Sequence, residues 1–389
     1  MQKLSKNNLI LALTCGTHGV QDGISTGLNL VLPLLAQLFG LSYAEVGMLR
    51  AVKSGAMALF EIPSGVLAES IGERRLLVFG LICTGLGGLL LAGAGSIVVV
   101  LAAFVIIGIG NAFQHALSSA VISRNFGLGK RRAALGLYNS AGDAGKLGFT
   151  GLIALATGIG LAWQGMVVFF GAITLGLAVL LWLVFTRMDV GGPRPKDQAP
   201  AAKGWGILDK RGFANLCLTV SLDIAVQSGF MVFLVFVMVE KGIALHLSGF
   251  ALVLTLIGGM FGKAGCGYLA QKIGVRPAFI LAQILTALGI YALLTAPPLY
   301  LLAILPLLGM FLQGSTSITY GTVADLIQPD KHSRGFALIY SVSGISSIIG
   351  PIAFGVISDI AGLNTSMAVM AGIALLAIIP SLFLRSGEA

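Results

Sequence analysis

The chain is a succession of apolar runs, each long enough to cross a bilayer's hydrocarbon core as a helix, which takes roughly 17–25 residues. These runs recur from end to end. Only 10% of the 389 residues are charged, where a soluble domain carries about 25%. The deficit extends over the whole length, so most of the surface must face an apolar solvent. The pattern predicts an all-α polytopic membrane protein. Twelve spans are expected, at 8–38, 42–68, 75–95, 97–123, 133–157, 162–186, 212–239, 245–270, 277–296, 298–326, 335–360 and 364–384. The first contains His18 and Asp22 and continues past signal-peptide length, so no cleavable leader is expected.

A net charge of +9 raises the question of nucleic acid, and the distribution of charge argues against it. Given those spans, 19 of the 24 Lys and Arg fall at the termini or in alternate loops, from Lys3 and Lys6 through Arg74, Arg75 and Arg124 to Arg385. Lys241 alone falls in an opposite loop. By the positive-inside rule the crowded side is cytoplasmic, with both termini there. A multi-pass location in the cell membrane, of the bacterial inner-membrane type, is expected. The basic loops would set topology and touch anionic headgroups of the lipid bilayer. Cys15, Cys83, Cys217 and Cys266 lie in apolar spans without paired spacing, so neither a zinc site nor a disulfide framework follows. Inert thiols are the expectation. Nothing resembles a phosphate-binding loop, and no nucleophile–base arrangement is readable, so neither a cofactor nor an enzyme is expected.

The stretch "TRMDVGGPRPKDQAPAAKGWGILDKR" (186–211) is the one long polar segment, and it lies at mid-chain. Its Pro, Gly and charge content marks a linker. The expected organisation is a six-helix half at 1–187, a cytoplasmic linker at 188–211 and a second half at 212–389. One constant shift relates the halves. Gly47 falls on Gly249, Gly65 on Gly267, Gly72 on Gly274 and Arg74 on Arg276. The same shift lays "RAALGLYNSAGDAGKLG" (132–148) on "RGFALIYSVSGISSIIG" (334–350). Duplicated six-helix halves are a transporter architecture, with the site near the midplane between them.

"GVLAESIGERR" (65–75) carries a resemblance to the major facilitator superfamily. It is similar to that superfamily's loop signature between helices 2 and 3, a Gly-x-x-x-Asp-Arg-x-Gly-Arg-Arg type pattern. Gly65, Gly72, Arg74 and Arg75 match, while Glu69 replaces the aspartate and Ser70 the first arginine. The second copy, "GYLAQKIGVR", keeps Gly267, Lys272, Gly274 and Arg276, with Gln271 at the acidic place. The resemblance implies two pseudo-symmetric six-helix halves and a gating loop that latches the cytoplasmic side in one state. Gly72 permits the sharp turn, and Arg74 and Arg75 can bond helix C-terminal carbonyls. "HGVQDG" with Pro33, and "GIGNAFQH" (108–115), further resemble the fosmidomycin-resistance branch of drug exporters. That implies proton-coupled antiport, efflux and antibiotic resistance. Two departures stand out. Phe104 lies near where many such exporters have a helix-4 arginine, and Phe149 where antiporters have a helix-5 proline.

Ionisable groups inside a membrane are costly, so each is a functional candidate. His18, Asp22, Ser25 and Asn29 share a stripe on helix 1 by i, i+4 and i+7 spacing. His18 over Asp22 is the expected proton-coupling pair, with His115 a third member, since such groups can load and release a proton at accessible pH. The candidate substrate contacts are Gln21, Ser25, Asn29, Arg50, Lys53, Asn111, Gln114, Asn139, Asp143, Lys146, Asp223, Gln227, Lys263, Gln313, Ser317 and Tyr320. Those on helices 1, 4, 7 and 10 fall where the resemblance implies a cavity. Asp143 and Lys146 can pair at i, i+3, and mutual pairing among the other interior charges is the economical alternative to ligand contact. Gly142, Gly145, Gly148 and Gly151 predict a groove for close helix approach.

The expected function is secondary active transport by alternating access, as proton-coupled export of a small polar or anionic compound or drug. The partners are that small molecule, protons and the bilayer, and the protein is expected as a monomer. One alternative is a divalent-metal transporter using His18, Asp22 and His115. The other is a membrane sensor that transports nothing.

Overall fold

The computed structural model describes residues 6–126, 128–193, 205–327 and 332–384. The chain is all-helical, with two interrupted spans. In order the helices are α1 (Lys6–Phe39), α2 (Tyr43–Ile71), α3 (Glu73–Ala92), α4 (Ile97–Ala112), α5 (His115–Asn125), α6 (Leu128–Gly158) and α7 (Trp163–Arg187). After the mid-chain segment come α8 (Lys210–Glu240), α9 (Leu245–Ile273), α10 (Val275–Thr295), α11 (Leu301–Leu326), α12 (His332–Ala361), α13 (Leu363–Leu376) and α14 (Ile378–Ser381). Among the described residues, ten stretches are long and apolar enough to cross a membrane. The other two spans are α2, which carries Arg50, Lys53 and Glu61, and α6, which carries Asp143 and Lys146.

The span expected at 97–123 forms as one apolar stretch, Ile97–Ile122, but as two helices, α4 and α5. The Phe113 and Gln114 N–H groups reach back three residues, to Gly110 and Asn111 carbonyls, instead of four. Such tightened turns interrupt the α ladder. Gly110 explains the place, because a Cβ there would overlap the Thr84 hydroxyl and lie 2.6 Å from the Gly80 carbonyl oxygen of α3. The expected final span, 364–384, likewise divides into α13 and α14. Pro380 has no N–H and clashes with the carbonyl four residues back, Leu376, where α13 ends.

Two compact units emerge, one of residues 1–34 and 52–199, the other of 35–51 and 200–389. In the first, α3 packs on α4 and α7 around Leu76, Leu77, Leu81, Phe113, Leu181 and Phe185. In the second, α9 lies along α11, where Gly258, Gly262 and Gly309 each bring one backbone against a carbonyl of the other helix. Small residues of this kind are how helices pack where lipid removes the hydrophobic drive between them. Large apolar side chains such as Leu59, Phe261, Leu288 and Ile360 stand exposed, as a lipid-facing surface requires. Buried hydroxyls return their hydrogens to the preceding turn, as Thr174 does to the Phe170 carbonyl at 2.7 Å and Thr255 to that of Ala251 at 2.8 Å.

The glycine groove expected on α6 is narrower than its spacing predicts. Gly142 and Gly145 meet α1, whereas a Cβ at Gly148 or Gly151 would touch nothing within 4 Å. The two loops expected to gate, in contrast, form as matching turns. Gly72 and Gly274 both have φ +90° and begin α3 and α10. Arg74 donates to the Phe185 carbonyl at 3.2 Å, and Arg276 to that of Leu384 at 2.9 Å. Each arginine therefore ties its loop to the last span of its own unit, satisfying a helix-end carbonyl. Arg75 is exposed and bonds none of the described residues, contrary to the expectation for it. Gly267 faces Ser317 across α9 and α11. Beyond their helical backbone, Gly65 and Glu69 lie outside the described residues.

Candidate proton and substrate site

Contact between α1 and α6 builds the densest cluster of ion pairs among the described residues. A Cβ at Gly145 would overlap the Gly19 carbonyl, so the two backbones touch. That approach brings Tyr138, Gly142 and Lys146 of α6 beside His18 and Asp22, one turn apart on α1. The His18 ring lies flat on Tyr138, with centroids 4.0 Å apart and planes at 18°. Gly142 leaves room for that ring, since a Cβ would stand 2.7 Å from His18 Nε2. The break after α4 completes the arrangement by placing His115 as the first residue of α5.

Asp22 is the hub. Its Oδ2 lies 3.3 Å from His18 Nε2 and 3.0 Å from Lys146 Nζ, and its Oδ1 lies 3.5 Å from His115 Nε2. Lys146 also reaches Asp143 Oδ1 at 3.2 Å. Lys146 thus pairs with Asp143 as its i, i+3 spacing allows, and it also reaches Asp22, so the lysine bridges both carboxylates. The interior is close to dry, with 5% of the His18 side chain and 12% of Asp22 exposed, against 37% of His115.

Hydrogen counting restricts the protonation states. His18 Nδ1 lies 2.8 Å from the Tyr138 carbonyl oxygen. A carbonyl only accepts, so Nδ1 carries a hydrogen. Nε2 then faces Asp22 either as a lone pair against a carboxylate, which repels, or with one proton in the gap. The favourable contact therefore contains one exchangeable proton.

Other predicted contacts fall elsewhere. Gln21 ties α1 to α3 and α4, donating to Thr84 Oγ1 at 3.1 Å and the Gly110 carbonyl at 3.2 Å. Gln114 donates to Thr17 Oγ1 at 3.2 Å, and Asn111 accepts from Thr84 at 3.5 Å. Lys53 bonds the hydroxyl and the carbonyl of Ser25, and is 2% exposed. Asn29 is 3% exposed, and its Oδ1 bonds none of the described residues. Asn139 is exposed on α6.

In the second unit, Asp223 accepts from Gln283, and its Oδ2 lies 2.8 Å from Ser315 Oγ. Gln227 donates to the Leu312 carbonyl at 2.6 Å, and Gln313 Nε2 lies 4.0 Å from Met231 Sδ. Lys263 and Ser317 are half-buried, and the Tyr320 side chain lies outside the described residues. Arg50 has a buried Nε with no partner, and its guanidinium bonds none of the described residues.

Tyr138, Thr84, Gln283 and Ser315 were not among the candidates. Tyr138 had a signal, since it stands in the repeated "ALGLYNS" segment, whereas single neutral residues in apolar helices have none. His18 Nε2, an Asp22 oxygen and His115 Nε2 lie within 4.8 Å of one another, a set able to ligate a divalent ion. Lys146 already supplies a cation to the same carboxylate.

The profile of the Major Facilitator Superfamily matches residues 14–222 and 216–388. An uncharacterized MFS-type transporter of Methanocaldococcus jannaschii is 22% identical over 377 residues, covering 93% of this chain and 94% of the relative. Monocarboxylate transporter 11 of Homo sapiens is 24% identical over 383 residues, covering 94% of this chain and 79% of the relative. A crystal structure of a bacterial homolog of the human lysosomal transporter Spinster, inward-facing and occupied, superposes with a TM-score of 0.81. It is 16% identical and covers 98% of this chain and 97% of that one.

Proposed function

Since the chain belongs to the Major Facilitator Superfamily, it is a multi-pass membrane transporter and no enzyme; we propose that it couples the movement of a small organic anion to protons held at His18 and Asp22. The observation that carries this reading is the Nδ1 contact of His18 with Tyr138, which leaves a one-proton gap between Nε2 and Asp22.

Charge accounting gives the coupling its energy. With the proton in place, imidazolium and Lys146 balance Asp22 and Asp143, and the cluster is neutral. Without it, one net negative charge remains in a nearly dry interior, which is costly. His18 is held by the Tyr138 carbonyl and Asp22 by Lys146, both on α6, so the proton strengthens the α1–α6 contact. Proton binding thereby stabilises whichever conformation closes that contact, the differential affinity that any driven conformational change needs.

The substrate reading rests on Arg50. A guanidinium in a membrane span with no acceptor among the described residues suits a carboxylate, sulfonate or phosphonate, which it can hold by two parallel bonds. A relative named for monocarboxylates accords with that class. Lys53, bonded to Ser25, serves α1–α2 packing in this account. Proton-driven export in the manner of the fosmidomycin-resistance-like exporters, a monomer with cytoplasmic termini in a bacterial inner membrane, and the boundaries 1–187, 188–211 and 212–389 complete the proposal. The gating role of the Gly72–Arg74 and Gly274–Arg276 turns belongs to it as well.

A second reading, a divalent cation as cargo, is favoured by the convergence of His18, Asp22 and His115 donors. Reconstituted vesicles with an imposed pH gradient separate the two. Organic anions accelerated by the gradient support the proposal, and divalent flux with no anion flux supports the second reading.

A further inference from the structure

The second unit holds a buried carboxyl group that the coupling scheme does not use. Asp223, on α8, is 2% exposed. Gln283 Nε2 of α10 donates to its Oδ1 at 2.7 Å, and Ser315 Oγ of α11 lies 2.8 Å from its Oδ2. Both partners are neutral. Asp22, by contrast, has an ammonium and two imidazoles around it.

Among the described residues no cation bonds Asp223. On α9 the nearby titratable group is Cys266, whose Sγ lies 3.8 Å from the Met310 carbonyl, with Lys263 one turn before it. On α10, Arg276 is two turns from Gln283 and bonds the Leu384 carbonyl. The described part of α11 contributes Ser315 and no ionisable side chain, and α13 and α14 have none. On α12, Asp359 accepts from the Tyr43 and Ala44 N–H groups. On α8 itself the charged residues Lys210, Arg211 and Glu240 lie at the two ends. Asp223 forms an ion pair with none of the described residues.

The internal repeat supplies a second, independent observation. The shift that lays Gly72 on Gly274 lays Gln21 on Asp223. Gln21 joins α1 to α3 and α4, and Asp223 joins α8 to α10 and α11, the counterparts by the same shift. One unit fills the position with a neutral amide, the other with an acid. A protonated carboxylic acid, like the amide, presents both a donor and an acceptor, with one O–H in place of two N–H groups. Ser315 Oγ also lies 3.1 Å from the Leu312 carbonyl. If Asp223 carries the hydrogen it donates to Ser315, Ser315 donates to Leu312, and Gln283 donates to Asp223. All three contacts are then satisfied with no buried net charge.

We infer that Asp223 is a second proton-binding site, occupied in this conformation, with Ser315 accepting its hydrogen. Its occupancy does not depend on the Asp22 reading, because the two carboxyl groups belong to separate units and share no partner. Opening of the α8–α10–α11 contact would let water solvate the anion and release the proton.

Infrared difference spectroscopy of the purified full chain tests this. The account expects a carbonyl band of a protonated carboxylic acid that persists in Asp22→Asn and is lost in Asp223→Asn. It expects the band to fade as the sample is titrated from about pH 5 to about pH 10, and Ser315→Ala to shift its frequency without abolishing it. In vesicles, Asp223→Asn should lower the number of protons moved per substrate by one. A wild-type spectrum with no band sensitive to either Asp223→Asn or Ser315→Ala overturns the proposal. So does a band that never titrates, which marks a permanently neutral strut. The spectrum decides the matter even if transport proves independent of protons, so failure of the coupling scheme and failure of this site are distinguishable.

Discussion

His18 and Tyr138 are joined twice, by a hydrogen bond of 2.8 Å from Nδ1 to the tyrosine carbonyl and by ring stacking at 4.0 Å. The backbone bond survives any change of the Tyr138 side chain, whereas the stacking does not. Tyr138→Leu should therefore keep proton coupling while lowering stability, and His18→Gln should remove the pH-gradient dependence of transport. The measurement is initial transport rate with and without the gradient in both variants. Equal gradient dependence in His18→Gln and the parent would remove His18 from the proton path.

The α1–α6 contact is sterically asymmetric along its glycines. A methyl group at Gly145 would overlap the Gly19 carbonyl, whereas at Gly148 it would meet open space. Gly145→Ala should cost about 1–3 kcal/mol or more, the usual penalty for overpacking. Gly148→Ala should be near neutral. Thermal unfolding in detergent checks the pair, and equal losses would mean that the two helices do not touch there.

The turns at Gly72 and Gly274 give a prediction about turnover. Gly72 holds φ +90° with the Gly191 carbonyl 2.7 Å from where a Cβ would stand. Gly72→Val, Arg74→Ala and Arg276→Ala should slow transport while leaving equilibrium ligand affinity within a few-fold, because a loop outside the binding groups only biases state populations. Loss of equilibrium binding in a folded variant would make the loop part of the site.

The proposal gives Arg50 the recognition of the substrate's negative charge. Arg50→Gln should weaken an organic acid by about tenfold, on the order of 1.4 kcal/mol, and weaken its neutral amide analogue far less. Lys53→Gln should lower stability and affect both ligands alike, since Lys53 is bonded to Ser25. Equal losses for acid and amide in Arg50→Gln would make the arginine structural.

Much of the fold was legible because lipid enforces one rule on every span. Run length and the segregation of Lys and Arg gave twelve spans. The repeat of Gly72 and Arg74 at Gly274 and Arg276 matched turns that form alike in both units. The break between α4 and α5 was not legible, because it sits where α3 comes so close to Gly110 that a Cβ has no room, an approach set by another helix. Within the site, the i, i+4 spacing of His18 and Asp22 was readable, being local. The second bond of Lys146, to Asp22, was not, because it depends on how closely Gly145 lets α6 approach Gly19. The four-glycine pattern overstated that groove, since spacing along one helix does not say where the neighbouring helix diverges.

Asp22→Asn tests the central claim most directly, because the amide resembles the neutral acid and cannot release a proton. In vesicles with a clamped membrane potential, the variant should lose transport driven by a pH gradient and retain substrate exchange at equal pH. Gradient-driven transport at an undiminished rate in Asp22→Asn would contradict the account.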